Sequence, residues 1–216
     1  MMLGRRGLFR RIVPALAVAG ALALGACSPP PAPSVPGPQI GPRTSWGFPD
    51  PFVLKVGGTW HAYATNWNGW GVTNVPYMTS DDLVNWTFPA DAMPDLGAWA
   101  VPGETWAPSV LEHGGSYVLY YSAMAQSTGA RCVATATAAD PGGPFVDRGP
   151  LICHRSHGGA IDPNVFRDLD GRLYLHWKTE GVVFWEPTKI YAQQLTGNGL
   201  NLVSGTRRMI LDTWSP

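Results

Sequence analysis

The sequence predicts an all-β protein built from repeated sheet units. Of its 216 residues, 26 are Gly and 21 are Pro, while charged residues make up only 14%; this composition favours turns and argues against helical bundles and coiled coils. The 10 Trp residues argue against disorder. A formal net charge of zero excludes the basic surface typical of nucleic-acid binding. An internal repeat is the strongest observation, because it also predicts how many sheets there are.

Three segments of the sequence align with one another. They are 50–63 (DPFVLKVGGTWHAY), 107–120 (APSVLEHGGSYVLY) and 162–175 (DPNVFRDLDGRLYL). Each segment reads as a strand, a Gly-containing turn and an aromatic-rich strand. The shared prolines at 51, 108 and 163 are spaced by 57 and 55 residues, so we expect one structural unit about every 56 residues.

Each copy continues with two further predicted strands. The predicted third strands are 75–80, 132–136 and 189–194, and the predicted fourth strands are 85–88, 145–147 and 200–203. Four antiparallel strands at this period are typical of a β-propeller blade. A β-sandwich is the alternative, but it gives no reason for such a repeat. The domain, residues 45–216, holds about three blades, fewer than the roughly four to eight that close a propeller. We therefore expect a propeller cut after blade three.

The N-terminal residues 1–26 predict export. Arginines at 5, 6, 10 and 11 precede an apolar run over 12–26, and small residues lead to Cys27. This order resembles the bacterial lipobox, in which Cys27 would carry the lipid. A transmembrane anchor is the alternative, but about 15 apolar residues are fewer than the about 20 that a spanning helix needs. We therefore expect an exported, cell-surface lipoprotein.

Residues 27–44 are rich in Pro and predict an extended tether between the lipid anchor and the domain. With Cys27 assigned to the anchor, Cys132 and Cys153 remain, and an oxidising compartment favours a disulfide between them. Two buried free thiols are the alternative. No spacing of Cys and His indicates a metal site, so we assign no metal and no cofactor.

The residues before the three shared prolines are Asp50, Ala107 and Asp162. First strands of propeller blades line the central axis, so we expect these residues to meet at one mouth of the ring. We also expect proline to hold each preceding residue extended. Two carboxylates at a polar mouth favour acid–base chemistry on a hydroxyl-rich substrate. The alternative is that each Asp-Pro pair only caps a turn.

Five motifs in this order resemble family 43 glycoside hydrolases, from about residue 46 to the end. They are 48–52 (FPDPF), 80–86 (SDDLVNW), 105–110 (TWAPSV), 138–145 (AADPGGPF) and 159–166 (GAIDPNVF). The resemblance implies a five-bladed propeller that cleaves arabinosides and xylosides of plant polysaccharides with inversion. Pro49 departs from the pattern, because many members have His before the base.

The resemblance also implies residue roles. Asp50 matches the general base, which activates the attacking water, and Asp162 matches the carboxylate that tunes the pKa of the general acid and orients it. Trp106 is a candidate floor for stacking a sugar ring, and Phe52 is a candidate wall beside the base; core packing is the alternative for both. His157, in the loop before Asp162, is a candidate contact to sugar hydroxyls.

The third family carboxylate is a general-acid Glu that opens blade four. The four Glu residues of this chain are at 104, 112, 180 and 186, and none of them opens a blade. We therefore expect the general acid to be absent and this chain to be inactive or nearly so, whereas a longer parent hydrolyses an oligo- or polysaccharide as a monomer. A noncatalytic carbohydrate-binding propeller lipoprotein is the alternative function.

Overall fold

The computed structural model describes residues 47–66, 73–87, 90–182 and 185–213. Within them, three four-stranded antiparallel sheets form, one for each sequence repeat, so the all-β prediction is confirmed. Cys27, the predicted export segment and the predicted tether lie outside the described residues. No helix in the described part of the chain is long and apolar enough to cross a membrane.

In every sheet the strands follow one another in chain order. Sheet one contains β1 (Phe52–Val56), β2 (Thr59–Tyr63), β3 (Pro76–Ser80) and β4 (Ala90–Asp91). Sheet two contains β5 (Ala100–His113), β6 (Ser116–Ala125), β7 (Arg131–Ala138) and β8 (Val146–Ile152). Sheet three contains β9 (Ala160–Arg167), β10 (Leu173–Thr179), β11 (Lys189–Gln194) and β12 (Arg208–Asp212). A single 3₁₀ turn, Arg155–His157, precedes β9 among the described residues.

The first and second strands pair in the same register in sheets one and two, where Phe52 pairs with Tyr63 and Ser109 with Tyr120. In sheet three the hairpin is one residue longer, so Asn164 pairs with His176 and not with the aligned Leu175. In sheet two the hairpin turn is Gly114-Gly115, with φ of 60° and 77°. Only glycine adopts two such angles in succession without strain, and this turn twists as the strands do.

Two of the predicted fourth strands are wrong. The fourth strand of unit one was predicted at 85–88. The chain after Ser80 instead forms a turn, in which Asp82 Oδ1 accepts the backbone N–H groups of Val84 and Asn85 at 2.8 and 2.7 Å. These hydrogen bonds lower the pKa of Asp82. They satisfy the backbone locally and compete with strand pairing. The fourth strand of sheet one accordingly starts at Ala90, and that of sheet three at Arg208, beyond 200–203.

Sheet two is covered on both faces. Tyr121 belongs to the core cluster shared with sheet one, and its neighbour Tyr120 belongs to the cluster shared with sheet three. Both rings are fully buried. Adjacent residues of a strand point to opposite faces of its sheet. Tyr120 and Tyr121 of β6 therefore pack against different neighbouring sheets, and sheet two lies between sheets one and three. The stack brings the first strand of sheet two, β5, into contact with the first strands of the other two sheets, β1 and β9.

A disulfide joins Cys132, near the start of β7, to Cys153, just after β8, across a sequence separation of 21 residues. It ties together the third and fourth strands of sheet two at the end where β5 begins. Closing a loop of this length restricts the unfolded chain and stabilises the folded one.

We expect replacement of both Cys132 and Cys153 by Ala to lower the free energy of unfolding by about 3 kcal/mol, the loop-closure value for this separation. Urea unfolding in a Cys27→Ala background measures the difference. Adding a reductant should destabilise the background protein and leave the double variant unchanged. Equal midpoints for the two proteins would contradict the assignment.

Candidate active site

The three residues before the shared prolines have the same uncommon backbone conformation. Their φ angles are 48° at Asp50, 43° at Ala107 and 53° at Asp162. The expectation that proline holds these residues extended is therefore wrong. Left-handed backbone costs a residue with a side chain about 1–2 kcal/mol. It persists only where the surrounding structure over-determines it, and here it recurs at three equivalent positions.

Hydroxyl groups on or just after the second strands hold two of these positions, Ala107 and Asp162. Thr65 and Ser122 each lie two residues after the aligned Tyr of their unit. Thr65 Oγ1 accepts the backbone N–H of Ala107 at 2.8 Å, and Ser122 Oγ accepts that of Asp162 at 3.0 Å. Both hydroxyl residues are buried. A hydroxyl group of one unit thus fixes the start of the next unit. These hydrogen bonds outweigh the preference of a residue before proline for an extended backbone.

Each predicted catalytic carboxylate also has a partner within its own unit. The hydroxyl of Thr65 donates to Asp50 Oδ2 at 2.7 Å, and Lys178 Nζ lies 2.7 Å from Asp162 Oδ2. Lys178 occupies in sheet three the position that Thr65 and Ser122 occupy in the other sheets. Asp50 is exposed and the Asp162 side chain is 42% exposed, so water reaches both. An exposed ion pair contributes at most about 1 kcal/mol to stability; its effect here is to orient Asp162.

Sequence reasoning missed Thr65, Ser122 and Lys178. For Thr65 and Ser122 a signal was present, because each follows the aligned Tyr of its unit by two positions. Lys178 follows the aligned Leu175 by three positions, because the third hairpin is one residue longer, so the sequence alignment did not reveal its equivalence. The aligned segments end at residues 63, 120 and 175, before all three of these side chains.

We expect Thr65→Val to lower the free energy of unfolding by about 1–3 kcal/mol, because it leaves the N–H of Ala107 without an acceptor. Thr65→Ser keeps the hydroxyl and should retain most of the stability. Urea unfolding of the three proteins measures both effects. The bridge has no stabilising role if the Val and Ser variants unfold together.

A buried arginine lies beside Trp106. The Arg131 side chain is only 10% exposed, and its Nη2 lies 3.0 Å from Glu104 Oε2 while its Nη1 lies 3.4 Å from Glu180 Oε1. Its guanidinium carbon is 3.1 Å from the centre of the Trp106 ring, a cation–π contact. Arg131 therefore covers one face of Trp106, and a sugar ring has only the other face on which to stack.

Three of the four glutamates lie next to basic or histidine side chains. Glu104 and Glu180 are bound to Arg131, and Glu186 lies 3.2 Å from His157 Nδ1 and 3.6 Å from Lys189 Nζ. Glu112 lies at the far end of β5, next to the hairpin turn. Among the described residues, no Glu stands at a unit start as Asp50 and Asp162 do.

Two other predicted contact residues have structural partners. Phe52 is half-buried and packs against the core between sheets one and two. The His157 side chain is 27% exposed, and its Nδ1 lies 3.2 Å from Glu186 Oε1 without forming a hydrogen bond to it. The described residues hold no group of three or more His, Cys, Asp or Glu side chains able to bind a metal ion.

His154 is held in its neutral form. Arg207 Nη1 lies 2.9 Å from His154 Nε2; a guanidinium only donates, so Nε2 accepts. Burial lowers the pKa of His154 below its ordinary value of 6.5, and the charges of Arg207 and His157 lower it further.

This lowered pKa predicts acid sensitivity. Below pH 6.5 the unfolded chain binds a proton at His154 more readily than the folded one, so stability present above that pH is lost as the pH falls. His154→Gln should flatten the slope of unfolding free energy against pH between 7 and 5, and Arg207→Gln should change it in the same direction. Urea unfolding at several pH values measures the slopes. An unchanged slope in His154→Gln would falsify the assignment.

Stacked four-stranded sheets with carboxylates at equivalent unit starts define a β-propeller protein with a candidate acid–base site. Residues 43–216 match Glycosyl hydrolases family 43, and the chain belongs to that family.

Curated relatives agree with the family. The extracellular exo-α-(1→5)-L-arabinofuranosidase ArbA of Cellvibrio japonicus (strain Ueda107) is 30% identical over 156 residues, 66% of this chain and 42% of the relative. The extracellular endo-α-(1→5)-L-arabinanase 1 of Bacillus subtilis (strain 168) is 30% identical over 154 residues, 65% of this chain and 45% of the relative. The chain thus spans less than half the length of these two relatives.

Solved structures show the same fold. A thermostable family-43 glycoside hydrolase aligns with a TM-score of 0.66 at 23% identity, covering 78% of this chain and 54% of that one. An exo-1,5-α-L-arabinanase from a bovine ruminal metagenomic library aligns with a TM-score of 0.58 at 26% identity, covering 76% and 55%.

Proposed function

We propose that the protein to which this chain belongs is an exported, lipid-anchored glycoside hydrolase that inverts the anomeric centre of arabinose- or xylose-containing glycans. The proposal rests on the way in which the starts of the three units, Asp50, Ala107 and Asp162, are linked to one another; we call this row of positions the rim of unit starts. Thr65 joins Asp50 to Ala107, and Ser122, which pairs with Trp106 across β5 and β6, binds the N–H of Asp162. Two exposed carboxylates are thereby held at equivalent places of units one and three, on either side of the unit start at Ala107.

In this mechanism Asp50 takes the proton of the water that attacks the anomeric carbon. The hydroxyl of Thr65 binds one carboxylate oxygen and limits the directions in which Asp50 points. Asp162, oriented by Lys178, sits beside the acid that protonates the leaving oxygen and tunes its pKa. Inversion needs acid and base about 6.5–9.5 Å apart, with room for the water.

Two features refine the substrate and the state of this chain. The curated relatives are named for α-(1→5)-linked arabinose, which supports arabinan as the substrate. The glutamates nearest Trp106 and His157 are bound to Arg131 or lie beside Lys189, so none of them is free to act as the acid. We therefore propose a five-bladed parent whose general acid lies outside these 216 residues, with this chain inactive as given. The same observation favours glycan binding without hydrolysis as the second candidate.

The test compares this chain with the product of the gene read to its natural stop codon. Aryl α-L-arabinofuranoside, aryl β-D-xyloside and linear α-(1→5)-arabino-oligosaccharides are the substrates. We expect turnover only by the longer protein, and a loss of about 10²- to 10⁴-fold or more with Asp50→Asn. Asp95→Asn, an exposed carboxylate away from the unit starts, is the matched control and should be fully active.

Nuclear magnetic resonance of the first-formed anomer distinguishes inversion from retention. Hydrolysis by the 216-residue chain that Asp50→Asn abolishes would show that the acid is present and misassigned. A longer protein that binds arabino-oligosaccharides without cleaving them would support the binding function instead.

A further inference from the structure

A cavity of about 600 Å³ lies in sheet two, apart from Asp50 and Asp162. We call it the Trp99 cavity; its walls are the segment before β5 (Ala98, Trp99), the turn between β6 and β7 (Gln126, Ser127, Thr128), the disulfide and Arg155. It opens at the end of sheet two where β5 begins and β6 ends, the end that also carries Arg131. Its volume falls within the range of about 300–1,000 Å³ seen for ligand sites.

The Trp99 ring is fixed before any ligand arrives. Its indole N–H donates to Asp147 Oδ2 at 3.0 Å, and its backbone carbonyl accepts the N–H of Gln126 at 2.8 Å. The side chain is half-buried. A rigid, partly exposed indole offers a flat apolar face to a ring at little conformational cost.

Arg155 is the cation of this cavity, and its side chain has no partner among the residues that the structure describes. Every other Lys or Arg in the described ranges takes part in an ion pair, a hydrogen bond or a ring contact. Arg155 makes none of these, is exposed, and follows Cys153 by two residues. The residues that line the cavity include no Asp or Glu. A guanidinium at a cavity whose lining residues carry no acidic side chain is suited to a planar anion, because its fork of N–H groups binds carboxylates in a bidentate manner. The carboxylate of Asp147, behind Trp99, already accepts the Trp99 indole N–H and the hydroxyl of Tyr121.

We propose that the Trp99 cavity binds a uronic acid residue of a glycan. Arg155 pairs with the carboxylate, Trp99 packs against the sugar ring, and Gln126, Ser127 and Thr128 provide amide and hydroxyl groups for the sugar hydroxyls. The inference takes its glycan class from the proposed function, and it adds a site for an acidic sugar that is separate from the carboxylates at the unit starts.

The test is calorimetric titration of this chain with two matched probes, xylotriose and xylotriose carrying one glucuronic acid branch. We expect the acidic probe to bind at least about tenfold more tightly, because charge-assisted hydrogen bonds are stronger than neutral ones. Arg155→Gln should remove that difference, and Arg155→Lys should restore part of it. Arg208→Gln, which removes an exposed charge whose contacts are backbone carbonyls, should leave it unchanged.

Trp99 has its own readout. Its indole N–H resonance, assigned by its loss in Trp99→Phe, should shift with the acidic probe and not with xylotriose. Equal affinities for the two probes, or an Arg155→Gln variant that still distinguishes them, would overturn the proposal. Inorganic phosphate that displaces the acidic probe at equal concentration would overturn it as well, since the cavity would then be a general anion site.

The two proposals fail separately. Asp50→Asn should abolish hydrolysis by the longer protein and leave binding at the Trp99 cavity intact. Arg155→Gln should abolish selective binding of the acidic probe and leave hydrolysis of neutral aryl arabinofuranoside intact.

Discussion

The candidate site depends on one repeated interaction, in which the backbone N–H at the start of a unit donates a hydrogen bond to a hydroxyl group of the preceding unit. Thr65 and Ser122 are buried, and their oxygens accept the N–H groups of Ala107 and Asp162. Without such acceptors, buried N–H groups are costly, and the left-handed φ at the unit starts has nothing to hold it. The backbone at Ala107 and Asp162 is therefore held by contacts between sheets, while the carboxylates of Asp50 and Asp162 are oriented by Thr65 and Lys178 of their own units.

Sheet two carries the burden of this arrangement. It packs on both neighbours through Tyr120 and Tyr121, and a disulfide joins its third and fourth strands. Arg131 covers one face of Trp106 and lies between two carboxylates. A rigid middle sheet gives fixed walls to both the rim of unit starts and the Trp99 cavity. Rigid elements place functional groups more accurately than loops do.

The repeat made most of the fold predictable. Shared prolines and Gly turns located the first two strands of every unit, and the third strand of sheet three begins and ends where the pattern predicted, at Lys189 and Gln194. Fourth strands were less predictable, because turns closed by side chains such as Asp82 decide where they begin. In the candidate site, the repeat placed Asp50 and Asp162 at equivalent unit starts, and their catalytic roles stay a prediction. Their partners Thr65 and Lys178, and their positive φ, were not predicted, because a local rule for residues before proline cannot include hydrogen bonds from another sheet.

Ala107 has a meaning beyond its own contacts. It has no functional group, yet its φ of 43° matches those of Asp50 and Asp162. The left-handed conformation is therefore a property of the repeated fold and does not depend on the presence of a carboxylate. The backbone conformation at position 107 already sets the direction that a side chain there would take. Replacing Ala107 by Asp needs one codon change and no rearrangement of the backbone, and it would add a third carboxylate next to the other two unit starts.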